Sequence, residues 1–248
     1  MEHYWARTGI FWSVNWAITL PFWLIAWKLY GKRSVQVVGA CAFVFLVTTM
    51  AVFAPRMTIF DGLYWNWQGK TLEALSAILM MLVLRLDRQV VGFTLPKNSL
   101  GLVSALGMAS IIWSLNLYAL ATGDRVPDEL ATTESVAFQL TLPGIAEEIV
   151  YRGILWAICD QVFGRPWRIL GADLGLGWIF TSLLFWSVHF VQVSKTGSLS
   201  FSADWQALIP VALTGFILGW IRAKTESVYP AMIAHNVANG IMFVGSML

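Results

Sequence analysis

Long apolar stretches separated by short charged segments dominate the chain. A membrane-spanning helix needs about 20 mostly apolar residues. Six stretches reach or approach that length without Asp, Glu, Lys or Arg, namely 8–27, 34–55, 98–123, 174–194, 205–221 and 227–248. Two weaker segments, 71–86 and 135–159, are interrupted by charged residues, and the first of them is short enough to begin nearer residue 64. The pattern predicts an all-α fold, a polytopic transmembrane helical bundle of about eight spans.

The Lys and Arg residues between these stretches predict an orientation, because cytoplasmic loops carry the excess of positive charge. With the N-terminus outside, the cytoplasmic set has ten members: Lys28, Lys32, Arg33, Arg85, Arg88, Lys97, Arg165, Arg168, Arg222 and Lys224. The outside set has five: Arg7, Arg56, Lys70, Arg125 and Lys195. We therefore expect both termini outside. The loops are too short to fold separately, so we expect a single membrane domain over 1–248.

Composition supports a lipid environment and narrows the partners. Hydrophobic residues make up 58% of the chain and charged residues 12%, against about 25% in a soluble domain. The expected surroundings are the lipid bilayer, in the inner or plasma membrane if the host is bacterial. The net charge of +2 gives no electrostatic reason to expect a nucleic-acid partner. Cys41 and Cys159 lie in apolar stretches and are expected to be buried free thiols.

Charged residues inside the segment 135–159 need a physical reason to be there, since a charge at bilayer depth costs at least ~2.5 kcal/mol. Glu148 and Arg152 are four residues apart, so on a helix they share a face and can pair. Glu147 points about 100° away from Glu148 and has no partner within this motif. Pro143 and Gly144, one turn earlier, predict a kink or break that opens the helix to water.

Two later spans each carry an imidazole. His189 lies in 174–194, and His235 lies in 227–248 together with Asn239, four residues on and on the same helix face. If three helices turn these groups towards one hydrated cavity, that cavity holds a carboxylate, two imidazoles and a neutral amide. These are the groups needed to activate water for attack on a carbonyl carbon.

Three motifs now stand in order on late spans: Glu147-Glu148-Ile-Val-Tyr-Arg152, Phe185-Trp-Ser-Val-His189 and His235-Asn-Val-Ala-Asn239. In this order and spacing they resemble the CPBP family, the CAAX-processing and bacteriocin-processing intramembrane proteases, which include prenyl-protein endopeptidases. The similar region is about 95–245, which we interpret as the catalytic core. The earlier spans are similar only in being apolar.

The resemblance implies an eight-helix intramembrane endopeptidase. By analogy, Glu147 would be the general base that activates water, and His189 would help to hold that water. Glu148 and Arg152 would orient the groups around them, while His235 and Asn239 would stabilise the oxyanion. A glutamate mechanism without a cofactor is favoured. A zinc site built from two His and one Glu stays open as the metalloprotease alternative.

Other functions are also consistent with these residues. Intramembrane Glu and His serve as proton relays in transporters, although no inverted repeat is visible here. A non-catalytic immunity or scaffold protein with the same fold is a further alternative. For the protease, the expected partner is a membrane-associated protein or peptide, cut near its C-terminus.

Overall fold

The computed structural model of the chain describes residues 2–97 and 99–248, with the backbone alone for Glu2. Asn98, where the predicted fourth span begins, lies outside the described residues.

Helices account for most of the described chain, and they follow the apolar segments. The longer ones are α1 (Glu2–Ile18), α2 (Leu20–Tyr30), α3 (Arg33–Val52), α4 (Trp67–Val83), α6 (Ser99–Ala121), α10 (Leu176–Phe190), α11 (Trp205–Thr225) and α12 (Tyr229–Ser246). The shorter ones are α5 (Arg88–Val91), α7 (Thr133–Gln139), α8 (Leu142–Glu148) and α9 (Trp156–Phe163). Short 3-10 turns lie at Thr58–Phe60 and Asp128–Leu130.

Two small antiparallel ribbons depart from the all-α prediction. Strand β1 (Trp167–Ile169) pairs with β2 (Ala172–Leu174), with Trp167 opposite Leu174. Strand β3 (Val191–Val193) pairs with β4 (Leu199–Phe201), with Val191 opposite Phe201. Each ribbon closes a turn between two long segments, so the fold is a helical bundle with two ribbon-shaped connections.

Three helices among the described residues, α3, α6 and α11, are long and apolar enough to cross a membrane. The pair α1–α2 would count as a fourth span if its two parts act together. The helix α10 is apolar but shorter. The outer face of α6 exposes Leu100, Val103 and Leu106, as a lipid-facing surface does. The chain is thus a mostly helical membrane protein, and the full count of eight spans stays a prediction.

Two predicted spans are broken helices. The first apolar stretch bends by 52° between α1 and α2, where Thr19 separates them and Pro21 lies in the first turn of the second helix. The segment 135–159 is interrupted between Gln139 and Leu142, so the break comes just before Pro143. From Leu142 the backbone is helical through Phe163, and its middle part, Ile149–Leu155, is a π-helix.

The loops that connect the helices lie at two ends of the bundle, and the loops at each end contact one another. At one end, Arg7 Nε donates to Val193 O at 3.2 Å and Arg125 Nη1 donates to Gly245 O at 2.9 Å. At the same end the backbone N–H of Tyr64 donates to Glu134. At the other end, Tyr30 Oη donates to Phe163 O, Thr94 Oγ1 donates to Glu226 O, and Lys97 forms an ion pair with Glu226. Which end faces the cytoplasm stays a prediction.

Candidate active site

The break before Pro143 is held by a side chain from the last helix. Asn236 Oδ1 accepts a hydrogen bond from Gly144 N at 2.7 Å, and Asn236 Nδ2 donates to Thr141 O at 2.8 Å. The first N–H groups of a helix have no partner within it, so this amide acts as a cap supplied by α12. A Cβ at Gly144 would lie 2.5 Å from Asn236 Oδ1, which leaves room only for glycine. The cap fixes the start of the helix that carries Glu147 and Glu148.

Glu148 lies in a sealed ionic group. Its Oε1 accepts from Arg152 Nη1 at 3.1 Å and from His235 Nδ1 at 2.9 Å. Arg152 Nη2 donates to Gly215 O at 2.8 Å, and its guanidinium lies 4.4 Å from the centre of the Phe185 ring. Glu148 and Arg152 are both 0% exposed. The predicted pair therefore exists, and it ties together α8, the π-helix, α11 and α12.

Glu147 belongs to a different group, which opens onto a cavity. Its Oε1 lies 2.7 Å from Lys70 Nζ, and Lys70 Nζ lies 2.7 Å from Glu73 Oε2. Glu147, which has no partner within its own motif, thus pairs with a lysine from α4. Glu147 is 9% exposed, and its second oxygen, Oε2, is buried without a hydrogen-bond partner among the described residues.

His189 ends α10 beside Glu147. Its Nδ1 lies 2.8 Å from Phe185 O, and because a carbonyl only accepts, Nδ1 carries the hydrogen. Its Nε2 is therefore left for a ligand. His189 is exposed at the surface of the protein. On α12, Asn239 Nδ2 donates to Gln139 Oε1 at 3.1 Å, and a second hydrogen on that nitrogen remains.

The predicted shared cavity is divided in two. We call the first the glutamate cavity; it measures about 140 Å³ and is lined by Lys70, Glu73, Glu147, Tyr151 and His189 among others. We call the second the histidine cavity; it measures about 250 Å³ and is lined by Phe185, His189, His235 and Asn239 among others. His189 lines both, so the two spaces meet at this side chain. A group between them would contact Glu147 on one side and the imidazoles and amide on the other.

The zinc alternative requires several His, Cys, Asp or Glu side chains that meet at one point. Within the described part of the chain, no group of three or more His, Cys, Asp or Glu side chains is close enough to hold a metal ion. Glu148 Oε1 is already the acceptor for both His235 Nδ1 and Arg152 Nη1. No step proposed below uses a metal.

Lys70 and Glu73 are the site residues that sequence reasoning missed. The charge pattern assigned Lys70 to an outside loop, and Glu73 is one of the charged residues that interrupt the weak segment 71–86. Both lie on α4, three residues apart, with Glu73 5% exposed. The signal available was the Lys-x-x-Glu spacing at the start of an apolar helix. Nothing in that spacing points to Glu147, which is 77 positions after Lys70.

Comparison with known families identifies the later part of the chain. Residues 130–241 match the model of the family described as type II CAAX prenyl endopeptidase Rce1-like. Over this region, which is a little under half of the chain, the protein is similar to that family. The resemblance inferred from the three motifs is thus confirmed, and the match includes every residue of the predicted site. A search of curated proteins and a search of solved structures each found no match.

The Rce1-like match indicates an intramembrane protease that acts on a membrane-associated protein or peptide. Together with the apolar helices, it indicates an integral membrane protein. Lys70 and Glu73 lie outside the matched region. The Rce1-like part of the chain therefore receives two charged side chains from an earlier helix, and one of them touches the predicted general base.

Proposed function

We propose that the chain is an intramembrane endopeptidase in which Glu147 activates the water that attacks a peptide bond. The observation that carries the proposal is the position of Glu147. Its carboxylate is held at Oε1 by Lys70, its Oε2 has no hydrogen-bond partner among the described residues, and Glu147 lines a cavity that His189 also lines. A carboxylate base needs an oxygen free to accept the proton of water, and Oε2 is such an oxygen.

In the reaction, water lies between Glu147 Oε2 and His189 Nε2. The water oxygen forms a bond to the carbonyl carbon while one of its protons moves to Glu147 Oε2. The carbonyl oxygen takes the negative charge and turns towards the histidine cavity. There Asn239 Nδ2 offers its remaining hydrogen, as an oxyanion donor does. The C–N bond then breaks, and the proton on Glu147 moves to the leaving amine nitrogen.

His235 can assist the oxyanion in one protonation state only. Its Nδ1 donates to Glu148, so in the neutral ring Nε2 carries a lone pair and repels an oxyanion. In the doubly protonated ring Nε2 is a donor, and the contact with Glu148 becomes an ion pair. Glu148 and Arg152 act on His235 through this contact and do not touch the substrate. They are positioning residues.

The test compares Glu147→Gln with wild type in lipid nanodiscs, using N-acylated peptides randomised near the C-terminus and mass spectrometry of the products. General-base catalysis contributes about 10²–10⁴-fold, so Glu147→Gln should lower cleavage by that factor. Its thermal unfolding should change little, because Lys70 keeps Glu73 as a partner.

The matched control is Glu73→Gln, which removes the other carboxylate that contacts Lys70 and leaves the base in place. It should cleave far better than Glu147→Gln. Undiminished cleavage by Glu147→Gln would refute the mechanism. Proton flux in liposomes that depends on Glu147, without any cleavage, would instead favour the transporter alternative.

A further inference from the structure

Tyr151 lies on the same side of the helix as Glu147. It follows Glu147 by four residues, a spacing that brings two side chains together on a helix, and both residues line the glutamate cavity. Glu148 and Arg152 have the same spacing and form the buried ion pair. Tyr151 also lies within the π-helix Ile149–Leu155, and π-helical turns are frequent at functional sites. Tyr151 is therefore placed beside the base, although the attack of water does not require it.

The Tyr151 ring is held by aromatic and cationic neighbours. The side chain is 4% exposed. Its ring centre lies 5.6 Å from that of Phe185, with an angle of 89° between the two ring planes. The guanidinium carbon of Arg152 lies 5.8 Å from the Tyr151 ring centre. Edge-to-face packing is a favoured arrangement of aromatic rings, so the hydroxyl at the tip of the Tyr151 ring has a defined position.

The Tyr151 hydroxyl forms no hydrogen bond to any residue of 2–97 or 99–248. It is also not one of the sealed side-chain atoms that lack a partner in this part of the chain, so it touches accessible space. Because the side chain is otherwise buried, that space is the glutamate cavity, which Tyr151 lines. A phenol can donate one hydrogen and accept another. Both capacities are thus available to a molecule in the cavity.

The other hydroxyl groups among the described lining residues are committed to their own helix. Thr48 Oγ1 donates to Val44 O at 3.0 Å, and Thr49 Oγ1 donates to Phe45 O at 2.6 Å. Each hydroxyl has a single hydrogen to donate. Tyr151 is therefore the hydroxyl of the described cavity wall whose hydrogen is not used on the protein.

The second half of the proposed reaction calls for such a group. After water has attacked, Glu147 holds a proton, and the leaving nitrogen needs one, because an amine anion is a poor leaving group. The proton must move from the side of the attacking water to the nitrogen. A hydroxyl that accepts one proton while it donates another can carry a proton between two positions without a net change in itself.

We propose that Tyr151 is a catalytic residue that passes the proton from Glu147 to the leaving amine nitrogen. The proposal rests on the proposed endopeptidase function and adds the acid of its second step. Tyr151 Oη gives its hydrogen to the nitrogen and accepts the proton from Glu147 Oε2. The C–N bond breaks with its electron pair on the nitrogen, and the oxyanion re-forms the carbonyl double bond. Tyr151 and Glu147 both return to their starting states.

The experiment compares two leaving groups within one substrate sequence. Mass spectrometry locates the bond that the wild type cleaves in randomised N-acylated peptides, and one such peptide is remade with an ester in place of that amide. An alkoxide leaves more readily than an amine anion, so ester cleavage depends less on a proton donor. Wild type, Tyr151→Phe and Glu147→Gln are assayed on both substrates in lipid nanodiscs, and kcat and KM are measured separately.

Tyr151→Phe keeps the ring and removes only the hydroxyl. We expect its kcat on the amide to fall about tenfold, less than the 10²–10⁴-fold typical of a sole acid or base, because Glu147 can still deliver the proton directly. Its kcat on the ester should change by less than about twofold, and KM should stay the same on both substrates. Glu147→Gln should lose cleavage of both. The unfolding temperature of Tyr151→Phe should match wild type, because the hydroxyl has no protein hydrogen bond to lose.

The matched control is Tyr30→Phe. It also removes one phenol hydroxyl, which donates to Phe163 O at the opposite end of the bundle from the loop of Arg7 and Val193. Tyr30→Phe should keep the wild-type kcat on both the amide and the ester.

Three results would contradict these expectations in different ways. Wild-type cleavage of the amide by Tyr151→Phe would remove Tyr151 from the reaction and leave the endopeptidase in place. An equal loss on amide and ester, or a rise in KM alone, would assign Tyr151 to substrate binding and overturn the proton transfer. No cleavage of either substrate by the wild type would refute the proposed function itself.

Discussion

Glu147 and Glu148 are neighbours in sequence, yet they belong to two ionic groups of opposite character. Glu148, Arg152 and His235 form a sealed group in which both members of the ion pair are 0% exposed. Glu147, Lys70 and Glu73 form an open group whose members line a cavity, with the Lys70 side chain 18% exposed. A sealed ion pair fixes the positions of helices, because separating it leaves a charge without solvent or partner. An open one can exchange protons with water.

The difference between the two groups also corresponds to two roles, one of holding helices in position and one of taking part in the reaction. In the sealed group, the donors bond to protein atoms such as Gly215 O. Its buried atoms without a hydrogen-bond partner among the described residues are Glu148 Oε2 and Arg152 Nε. In the open group, Glu147 Oε2 has no hydrogen-bond partner among the described residues, and Glu147 lines the same cavity as His189. The same residue type, one position apart on one helix, thus serves two purposes. What distinguishes them is which neighbouring helix each one faces.

The largest expected effect is on the sealed group. Arg152→Met should destabilise the fold by about 3–5 kcal/mol, the usual result of removing one partner from a buried pair. The physical reason is that Glu148 loses its ion pair and Gly215 O loses a donor. Thermal unfolding in detergent measures the loss.

The companion variant combines Arg152→Met with Glu148→Gln, which removes the negative charge that Arg152→Met leaves without a cationic partner. It should recover part of the lost stability. An unfolding temperature of Arg152→Met equal to that of wild type would mean that the sealed group does not hold the helices together.

An intermediate effect is expected in the open group, on rate and not on stability. Lys70→Met removes the cation that orients Glu147, and we expect cleavage to fall by about 10²-fold, at the lower end of the range for acid–base catalysis. The unfolding temperature should change less than in Arg152→Met. Peptide cleavage and unfolding are measured on the same preparation.

Restoring the cation at position 70 tests whether Lys70 acts by orienting Glu147 or only by packing. Lys70→Cys treated with bromoethylamine regains an ammonium at nearly the same position, and cleavage should return. The two native cysteines, Cys41 and Cys159, are buried, and treated wild type serves as the control. A restored cation without restored cleavage would show that Lys70 does not position the base.

The smallest expected effect concerns a third carboxylate, outside both groups. Burial works to raise the pKa of Glu134, but hydrogen bonds from Tyr64 N, Trp65 N and the Trp67 indole, with the charge of Arg56, hold that pKa below its usual range. A lowered pKa means that the contact stabilises the loop at neutral pH. This stabilisation is lost as the pH falls below about 4.3 and through the lower pKa of the folded state.

Hydrogen exchange of residues 57–66 measures this release. Relative to the intrinsic exchange rate at each pH, the protection of this loop should fall at acidic pH in the wild type, while Glu134→Gln should show low protection that varies little with pH. A wild-type loop that stays protected at pH 3 would contradict the assignment of Glu134 as its anchor.

Local sequence was sufficient to predict the helices, the Glu148–Arg152 ion pair and the family resemblance. Apolar runs become helices in lipid because the backbone must satisfy its own hydrogen bonds there, and a spacing of four residues places Glu148 and Arg152 side by side. The motif order was enough to identify the Rce1-like region. The break before Pro143 also followed from a local rule, because proline favours the first turn of a helix.

Only the tertiary structure decided which carboxylate faces the cavity and what surrounds it. Lys70 reaches Glu147 because α4 packs against α8, and Asn236 caps α8 because α12 packs on its other side. Arg7, Arg56 and Lys195 converge because their segments close the same end of the bundle. Such meetings depend on how helices distant in sequence are placed, and no spacing within one helix encodes that placement. The sequence determined which groups are charged within a lipid-solvated chain, and packing determined which of them are free to react.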